Sequence, residues 1–166
     1  LIDEIKEMPD WKPRVWHFDL EWDPKTDQTT VMAVIDSHNN RHVAFCWQKD
    51  NPTDLHEMDC FIEEKTVEYE DDGNAVSYNY ERHLYGSEED MHHAFLNYMD
   101  ECNPDIFVAH AIMWADLPHL VRRLPEFRRL SPLSRRLRTG KGEGKKKHYG
   151  YVAQPIIGRL CFDTAS

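Results

Sequence analysis

The sequence lacks any apolar run close to the roughly 20 residues that a membrane-spanning helix needs, which excludes a helical membrane protein. It also lacks a signal-type apolar stretch near its beginning, and its first residue is Leu1 rather than Met. Residues 162–166 look severed from a longer chain. We therefore expect this sequence to be a piece of a larger protein.

Cysteine is scarce, and its few positions are widely spaced. The sequence contains four cysteines, which are Cys46, Cys60, Cys102 and Cys161. No Cys-x-x-Cys pair occurs, so neither a structural zinc site nor a disulfide framework is expected. The ten histidines are also scattered, and neighbouring helix positions such as His92 and His93 do not converge on one ion. A metal site built on histidine or cysteine is therefore not expected.

Size and composition favour one folded domain. The chain has 166 residues, of which 40% are hydrophobic and 11% aromatic, enough for a sizeable core. The sequence has no internal repeat and no long linker. We expect residues 1–13 to lead into a single domain that occupies residues 14–166 and is incomplete at its C-terminal end.

The net charge of −10 is divided unevenly along the chain. Residues 1–121 hold 8 basic and 27 acidic residues, a net charge of −19, whereas residues 122–147 hold 11 basic and 2 acidic residues, a net charge of +9. An acidic body repels a phosphate backbone, but a basic stripe can hold one locally. A basic flexible insert at about residues 125–147 is therefore predicted, and a merely solvated loop remains the alternative.

Strand formers dominate the first third of the domain. Alternating apolar residues predict strands at 14–22, 31–36 and 41–47, and the turn-forming residues 37–40 join the last two into an antiparallel meander. The acidic stretch that follows predicts only short strands, at about residues 60–65 and 75–80.

Helical signals follow from Ser87 onward. Ser87 and three acidic residues after it favour a helix N-terminus, and the stripe of Met91, Phe95, Tyr98, Met99 and Cys102 recurs at helical spacing. A buried, parallel strand is predicted at 105–110, a second helix from about Asp116, and late strands at 149–153 and 158–162. This order predicts an α/β fold in which a mixed sheet carries helices on its faces.

Asp19 and Glu21 are candidate metal ligands. Residues i and i+2 of a strand point to the same face, so both carboxylates lie together while Leu20 points away. Hard divalent cations prefer oxygen ligands, and two such cations need three or four acidic residues around them. Asp116 is a further acidic residue, at the beginning of the second helix. The alternatives are an ordinary acidic pair on an exposed strand and a simple helix cap at Asp116.

Three parts of the sequence resemble family-B DNA polymerases. Residues 15–24 are similar to the first exonuclease motif, a hydrophobic strand that ends in Asp-x-Glu. Residues 103–123 are similar to the second, which has a Pro-Asp pair, a buried strand, an Asn and then Phe-Asp-Leu-Pro before a helix. Residues 158–163 resemble the Gly-Arg, strand and Asp that follow a variable basic insert. These landmarks stand in the family's order and span nearly the whole chain.

The resemblance implies a ribonuclease H-like mixed sheet, an antiparallel meander plus parallel strands flanked by helices. It also implies 3′–5′ exonuclease activity on the 3′ ends of single-stranded DNA, with two Mg²⁺ or Mn²⁺ ions as cofactors. Asp19, Glu21 and Asp116 correspond to three of the family's four carboxylate ligands. The fourth, in a Tyr-x-x-x-Asp motif, is expected beyond Asp163, so we expect this fragment alone to be weakly active or inactive.

The resemblance further implies polymerase domains in the same longer chain and an intracellular location, in the cytoplasm or nucleoid, with a viral gene left open. No membrane partner is expected. The sequence does not distinguish DNA from RNA or Mg²⁺ from Mn²⁺.

The sequence departs from the family at positions that hold the frayed 3′ strand. The family's Asn is replaced by Ala111, its Phe by Ala115, and the usual Thr after the Glu by Trp22. An indole there either stacks on a terminal base, worth about 1–3 kcal/mol, or blocks the site. Basic residues around the insert are expected to contact phosphates without reading bases. The candidate nucleic-acid-binding residues are Trp22, Ala111, Trp114, Arg122, Arg123, Arg135, Arg136 and Arg138.

Three other functions are also compatible with the sequence. A related domain that has lost catalysis and serves as a nucleic-acid-binding or structural module would explain the departures. A stand-alone nuclease of the same fold would take its fourth ligand from elsewhere. A small acidic interaction domain would need no nucleic acid.

Overall fold

Among the residues that the structure describes, seven strands form one mixed sheet, in the order β4-β5-β3-β2-β1-β6-β7. The computed structural model describes residues 10, 12–47, 61–71, 73–124, 126–135 and 155–165. An antiparallel meander of three strands continues into parallel strands on both sides, and helices flank the sheet. This arrangement confirms the predicted α/β fold class and is consistent with a ribonuclease H-like fold.

The predicted meander is present with nearly the predicted bounds. It consists of β1 (Val15–Asp23), β2 (Gln28–Asp36) and β3 (Arg41–Trp47), paired antiparallel. β2 begins three residues earlier than predicted because Gln28 and Thr29 pair with the end of β1 across a register shift beside Glu21. Such a bulge bends a strand and re-aims its side chains.

The fourth and fifth strands are much longer than predicted. β4 (Phe61–Asp71) and β5 (Asn74–Tyr85) form an antiparallel hairpin around Gly73, which has a φ of 79°. The many charged residues of these strands hide the apolar–polar alternation from which strands are predicted. The strands form nevertheless because β5 pairs with β3 through backbone hydrogen bonds, which do not depend on that alternation. From residue 61 onward the predicted short strands lie within this hairpin, and residue 60 lies outside the described residues.

The first helix matches the sequence signals. Helix α1 (Glu88–Cys102) begins after Ser87, whose hydroxyl accepts the Asp90 N–H, and ends at Asn103 in the left-handed conformation. Its apolar stripe lies on one face of the sheet, where Phe95 contacts the rings of Trp16, Phe18 and Phe45. Trp16 and Phe95 are completely buried, so this aromatic cluster is the centre of the core.

After α1, the chain forms the parallel strands that lie beyond β1 in the sheet. Strand β6 (Ile106–Ala109) pairs in parallel with β1, as predicted, and β7 (Leu160–Asp163) pairs in parallel with β6. Between them lie a π turn (Ile112–Asp116) and helix α2 (Leu117–Arg123). The helix predicted from Asp116 is therefore preceded by a wider turn that the sequence did not predict.

The first part of the predicted basic insert is folded. A 3₁₀ turn (Phe127–Leu130) lies against α1, with Leu130 buried and Arg129 paired with Asp100. The predicted strand at 149–153 and most of the insert lie outside the described residues. In the part of the chain that is described, no helix has the length and apolar character needed to cross a membrane.

Asp36 connects the meander to the chain before it. Its fully buried carboxylate accepts hydrogen bonds from the Arg14 guanidinium, with 2.8 Å between Nε and Oδ2, and from the His38 N–H. Arg14 also donates to the carbonyl of Cys102 at the end of α1. Burial by itself raises the pKa of Asp36, but the bonds from Arg14 and His38 outweigh it and hold this pKa below its ordinary value.

We predict that Asp36→Ala lowers the free energy of unfolding by roughly 3 kcal/mol at pH 7, because it leaves the Arg14 charge unpaired. A lowered folded-state pKa stabilises above the unfolded value of about 4, and this stabilisation is lost as pH falls through the folded pKa. Urea unfolding should therefore show a smaller difference between variant and wild type at pH 2 than at pH 7. Asp100→Ala, which removes an exposed ion pair, is the control and should change little. A loss as small as the control's would refute this role.

Candidate metal centre

Strand β1 presents two acidic side chains on one face. Phe18 and Leu20 point into the core, and Asp19 and Glu21 point the other way and are exposed. This alternation is the one predicted from the sequence. Because β1 extends past the end of β6, both acidic residues lie beyond the parallel pairing of Val15–His17 with β6.

Asp116 is a buried acidic residue at the end of the π turn. The residue is only 3% exposed, and its Oδ2 atom has no hydrogen-bond partner among the described residues. Burial above all, and then the charges of Asp19, Asp163 and Glu21, raise the pKa of Asp116 to about 7. A carboxyl group in such surroundings accepts either a proton or a metal cation.

Four carboxyl groups therefore share one electrostatic environment. The sequence predicted three of them, Asp19, Glu21 and Asp116, as neighbours, and the π turn that carries Asp116 contacts both β1 and β7. Asp163 is the fourth acidic residue, and its sequence motif does not predict a place for it at the site. The parallel pairing of β7 with β6 places Asp163 beside Ala109, close to the π turn.

The chemistry of these residues fits hard divalent cations. Carboxylate oxygens are the ligands that Mg²⁺ and Mn²⁺ prefer, and a cation would pair with the unpartnered Oδ2 of Asp116 and offset the surrounding negative charge. Within the described ranges, no three His, Cys, Asp or Glu side chains are already grouped as a metal cage. Asp19 and Glu21, both exposed, would be the further ligands.

Trp22 is part of the packing beside this centre. Its ring stacks on that of His119, with centroids 4.5 Å apart and an angle of 19° between the planes. His119 is fully buried and its Nε2 lies 3.0 Å from the Thr29 hydroxyl; burial is the main cause that lowers the pKa of His119. Trp22 thus joins β1 to α2, and its stacking on a DNA base stays a prediction.

Two other residues predicted to contact a DNA strand lie at the π turn, Ala111 directly before it and Trp114 within it. Ala111 adopts the left-handed conformation, with a φ of 60° and a ψ of 22°. Trp114, in the middle of the turn, is 46% exposed. Trp114 is therefore more exposed than the partly buried Trp22, and its stacking on a DNA base stays a prediction.

The arginines of the predicted phosphate-binding set differ in their surroundings. Arg123 pairs with Glu88, and Arg122 donates to Asp27 over 3.2 Å and to the Pro118 carbonyl over 3.3 Å. Because each of these two arginines already pairs with a carboxylate, both are less available to a phosphate than the sequence predicts. Arg135 is exposed, whereas Arg136 and Arg138 lie outside the described residues.

Comparisons with known proteins add no assignment. No protein-family model matches the chain, and no curated protein is detectably similar to it in sequence. The functional conclusion therefore depends on the geometry of the acidic residues and on the three motifs.

We predict that Asp116 makes metal-free stability depend on pH. Between about pH 3.9, the unfolded value, and the folded pKa of about 7, only the folded state holds the Asp116 proton, so stability falls as pH rises. One pKa unit corresponds to about 1.4 kcal/mol, so the penalty at pH 8 is on the order of a few kcal/mol. Asp116→Asn removes it.

In urea unfolding with EDTA, Asp116→Asn should be more stable than wild type at pH 8 and should lose this advantage at pH 4. Glu64→Gln, which changes an exposed acidic residue on β4, is the matched control. Wild-type and Asp116→Asn curves that stay parallel between pH 4 and pH 8 would contradict the raised pKa.

We also predict that Ala111→Asn stabilises the protein by roughly 0.5–1 kcal/mol. A left-handed conformation costs an ordinary L-residue about 1–2 kcal/mol, and Asn adopts it more readily than Ala. Ala111→Val, in which branching at Cβ makes this conformation less favourable, should destabilise it. Thermal unfolding of both variants tests the prediction, which fails if Asn and Val have the same effect.

Proposed function

We propose that this chain is the 3′–5′ exonuclease domain of a family-B-like DNA polymerase. It would hydrolyse 3′-terminal nucleotides of single-stranded DNA with the help of two Mg²⁺ or Mn²⁺ ions. The observation that carries the proposal is the buried, unpartnered Oδ2 of Asp116. Burial above all, and then the charges of Asp19, Asp163 and Glu21, raise the pKa of this residue. The three motifs that resemble the family contain these same acidic residues.

The acidic residues account for a dependence on divalent cations. When bound, such cations activate water and offset the negative charge that grows on the phosphate in the transition state. Asp19, Glu21 and Asp116 would hold them. In their absence the negative charge of Asp19 and Glu21 repels a DNA phosphate, so the site binds its substrate poorly until that charge is neutralised.

The surroundings of the acidic residues suit a single-stranded end. Trp114, on the turn that carries Asp116, is 46% exposed. Aromatic side chains bind single strands by stacking on bases with little regard to sequence. Such contacts position a strand without selecting its sequence.

A catalytically degenerate module that binds nucleic acid is the second candidate. The described residues contain no ready group of three metal ligands, and Ala111 provides no side-chain amide for the strand. Both observations favour a site that binds without cutting. Cleavage by the full-length protein separates the two candidates.

We predict that the full-length protein shortens a single-stranded oligonucleotide labelled at its 5′ end, one nucleotide at a time, in the presence of Mn²⁺. Asp19→Ala should lower the rate by at least about a hundred-fold, because it removes a ligand that acts in the transition state. Glu64→Ala, an equivalent change on the distant strand β4, should retain the wild-type rate.

Products on a denaturing gel would measure the rate at several Mn²⁺ concentrations, and EDTA should abolish it. DNA binding without any shortening by the full-length protein would favour the degenerate module. Equal activity of Asp19→Ala and wild type would refute the proposed site.

A further inference from the structure

The carboxylate of Asp163 is held by three backbone N–H groups. Its Oδ1 accepts the Ala111 N–H at 2.9 Å and the Ala165 N–H at 2.9 Å, and its Oδ2 accepts the Met113 N–H at 3.1 Å. A carboxylate has about four acceptor positions, so most of the Asp163 capacity is already in use. Asp163 is therefore poorly suited to be a metal ligand itself.

Two of these N–H groups belong to the beginning of the π turn. The first N–H groups of any helical turn have no partner within the turn and need an external acceptor. Side chains that cap a helix usually come from the preceding few residues, but Ala111 and Met113 are 52 and 50 residues from Asp163. Ala111 itself offers no side-chain acceptor and has a positive φ. Asp163 therefore caps the turn from a neighbouring strand.

The same strand is fixed in register with the strand that leads into the turn. Asp163 is paired with Ala109 at the end of β6, and the Thr164 N–H donates to the Ala109 carbonyl at 3.0 Å. Inside the turn, the N–H groups of Trp114 and Ala115 both donate to the Ala111 carbonyl. The Leu117 N–H donates to the Ile112 carbonyl. Asp116 is thus connected to β7 through a short, continuously hydrogen-bonded path.

We propose that Asp163 is a positioning residue: by holding the Ala111 and Met113 N–H groups, it fixes the π turn that presents Asp116 to divalent cations. This inference rests on the proposed function. The Asp163 charge serves the hydrogen bonds to the turn, and Asp116, at the other end of the turn, keeps an oxygen without a partner for a cation. The π turn and the C-terminal end of β7 form one unit.

The test uses full-length wild type, Asp163→Asn and Asp163→Glu. Asn replaces one acceptor oxygen by an NH₂ group, which cannot accept an N–H from the turn. Glu keeps both oxygens but moves them by one methylene, so it retains the charge if Asn impairs folding. Ser131→Ala is the matched control, because it removes a buried hydroxyl that donates to the Ile157 carbonyl, a contact in which no π-turn residue takes part.

Two readouts are needed. In metal-free protein, amide hydrogen exchange at Ala111 and Met113 should become at least about ten-fold faster in Asp163→Asn than in wild type. In the exonuclease assay, kcat should fall about 10–100-fold and the Mn²⁺ concentration for half-maximal rate should rise, as for residues that orient metal ligands. The KM for the oligonucleotide should stay within about two-fold. Asp163→Glu should show the same changes in kcat and Mn²⁺ requirement, to a smaller extent.

The outcomes separate this inference from the proposed function. Unchanged kcat and Mn²⁺ requirement in Asp163→Asn, with faster exchange, would make Asp163 a structural cap only and overturn the positioning role. Unchanged exchange at both amides would overturn the cap as well. A kcat loss in Ser131→Ala equal to that in Asp163→Asn would attribute the effect to general destabilisation. If wild type itself neither cleaves DNA nor binds Mn²⁺, the proposed function fails instead.

Discussion

The burial of one carboxyl group among other carboxylates is the constraint on which one end of this protein depends. Asp116 is buried where Asp19, Glu21 and Asp163 oppose its ionisation, and its Oδ2 finds no hydrogen-bond partner among the described residues. A protein that only needed to fold would replace such a residue by an apolar one, since an unsatisfied buried polar group costs about 1–3 kcal/mol. Retaining this arrangement makes sense if a cation completes it.

The rest of the fold keeps these acidic residues in place. The aromatic cluster around Trp16 and Phe95 fixes the inner face of β1 and thereby turns Asp19 and Glu21 outward. The stack of Trp22 on His119 joins the end of β1 to α2. The carboxylate of Asp163 accepts hydrogen bonds from the beginning of the π turn that precedes α2. Core packing, ring stacking and a remote cap therefore all act on the elements that carry the acidic residues.

The sequence predicted those parts that depend on local signals. The alternation of apolar and polar residues placed Asp19 and Glu21 on one face of β1, and Ser87 marked the beginning of α1. Both features could be predicted because each depends on residues that are neighbours in the sequence. The length of the β4–β5 hairpin was missed because its stability comes from pairing with a distant strand rather than from an apolar pattern.

The role of Asp163 and the π turn were missed for the same reason. Nothing near residues 111–116 in the sequence indicates that their N–H groups find an acceptor about 50 residues later. Trp22 was predicted from its position next to Glu21, but the residue that covers one face of its ring, His119, lies on another element. Contacts between distant segments carry no short-range signature, and only the folded topology shows them.

A crystal structure of the full-length protein soaked in Mn²⁺ would test the central claim most directly. Our account predicts an anomalous peak at ~2.1 Å from Oδ2 of Asp116, with Asp19 or Glu21 turned in as a second ligand. A structure without manganese there, in which Oδ2 of Asp116 instead donates a proton to a neighbouring carboxylate, would contradict it.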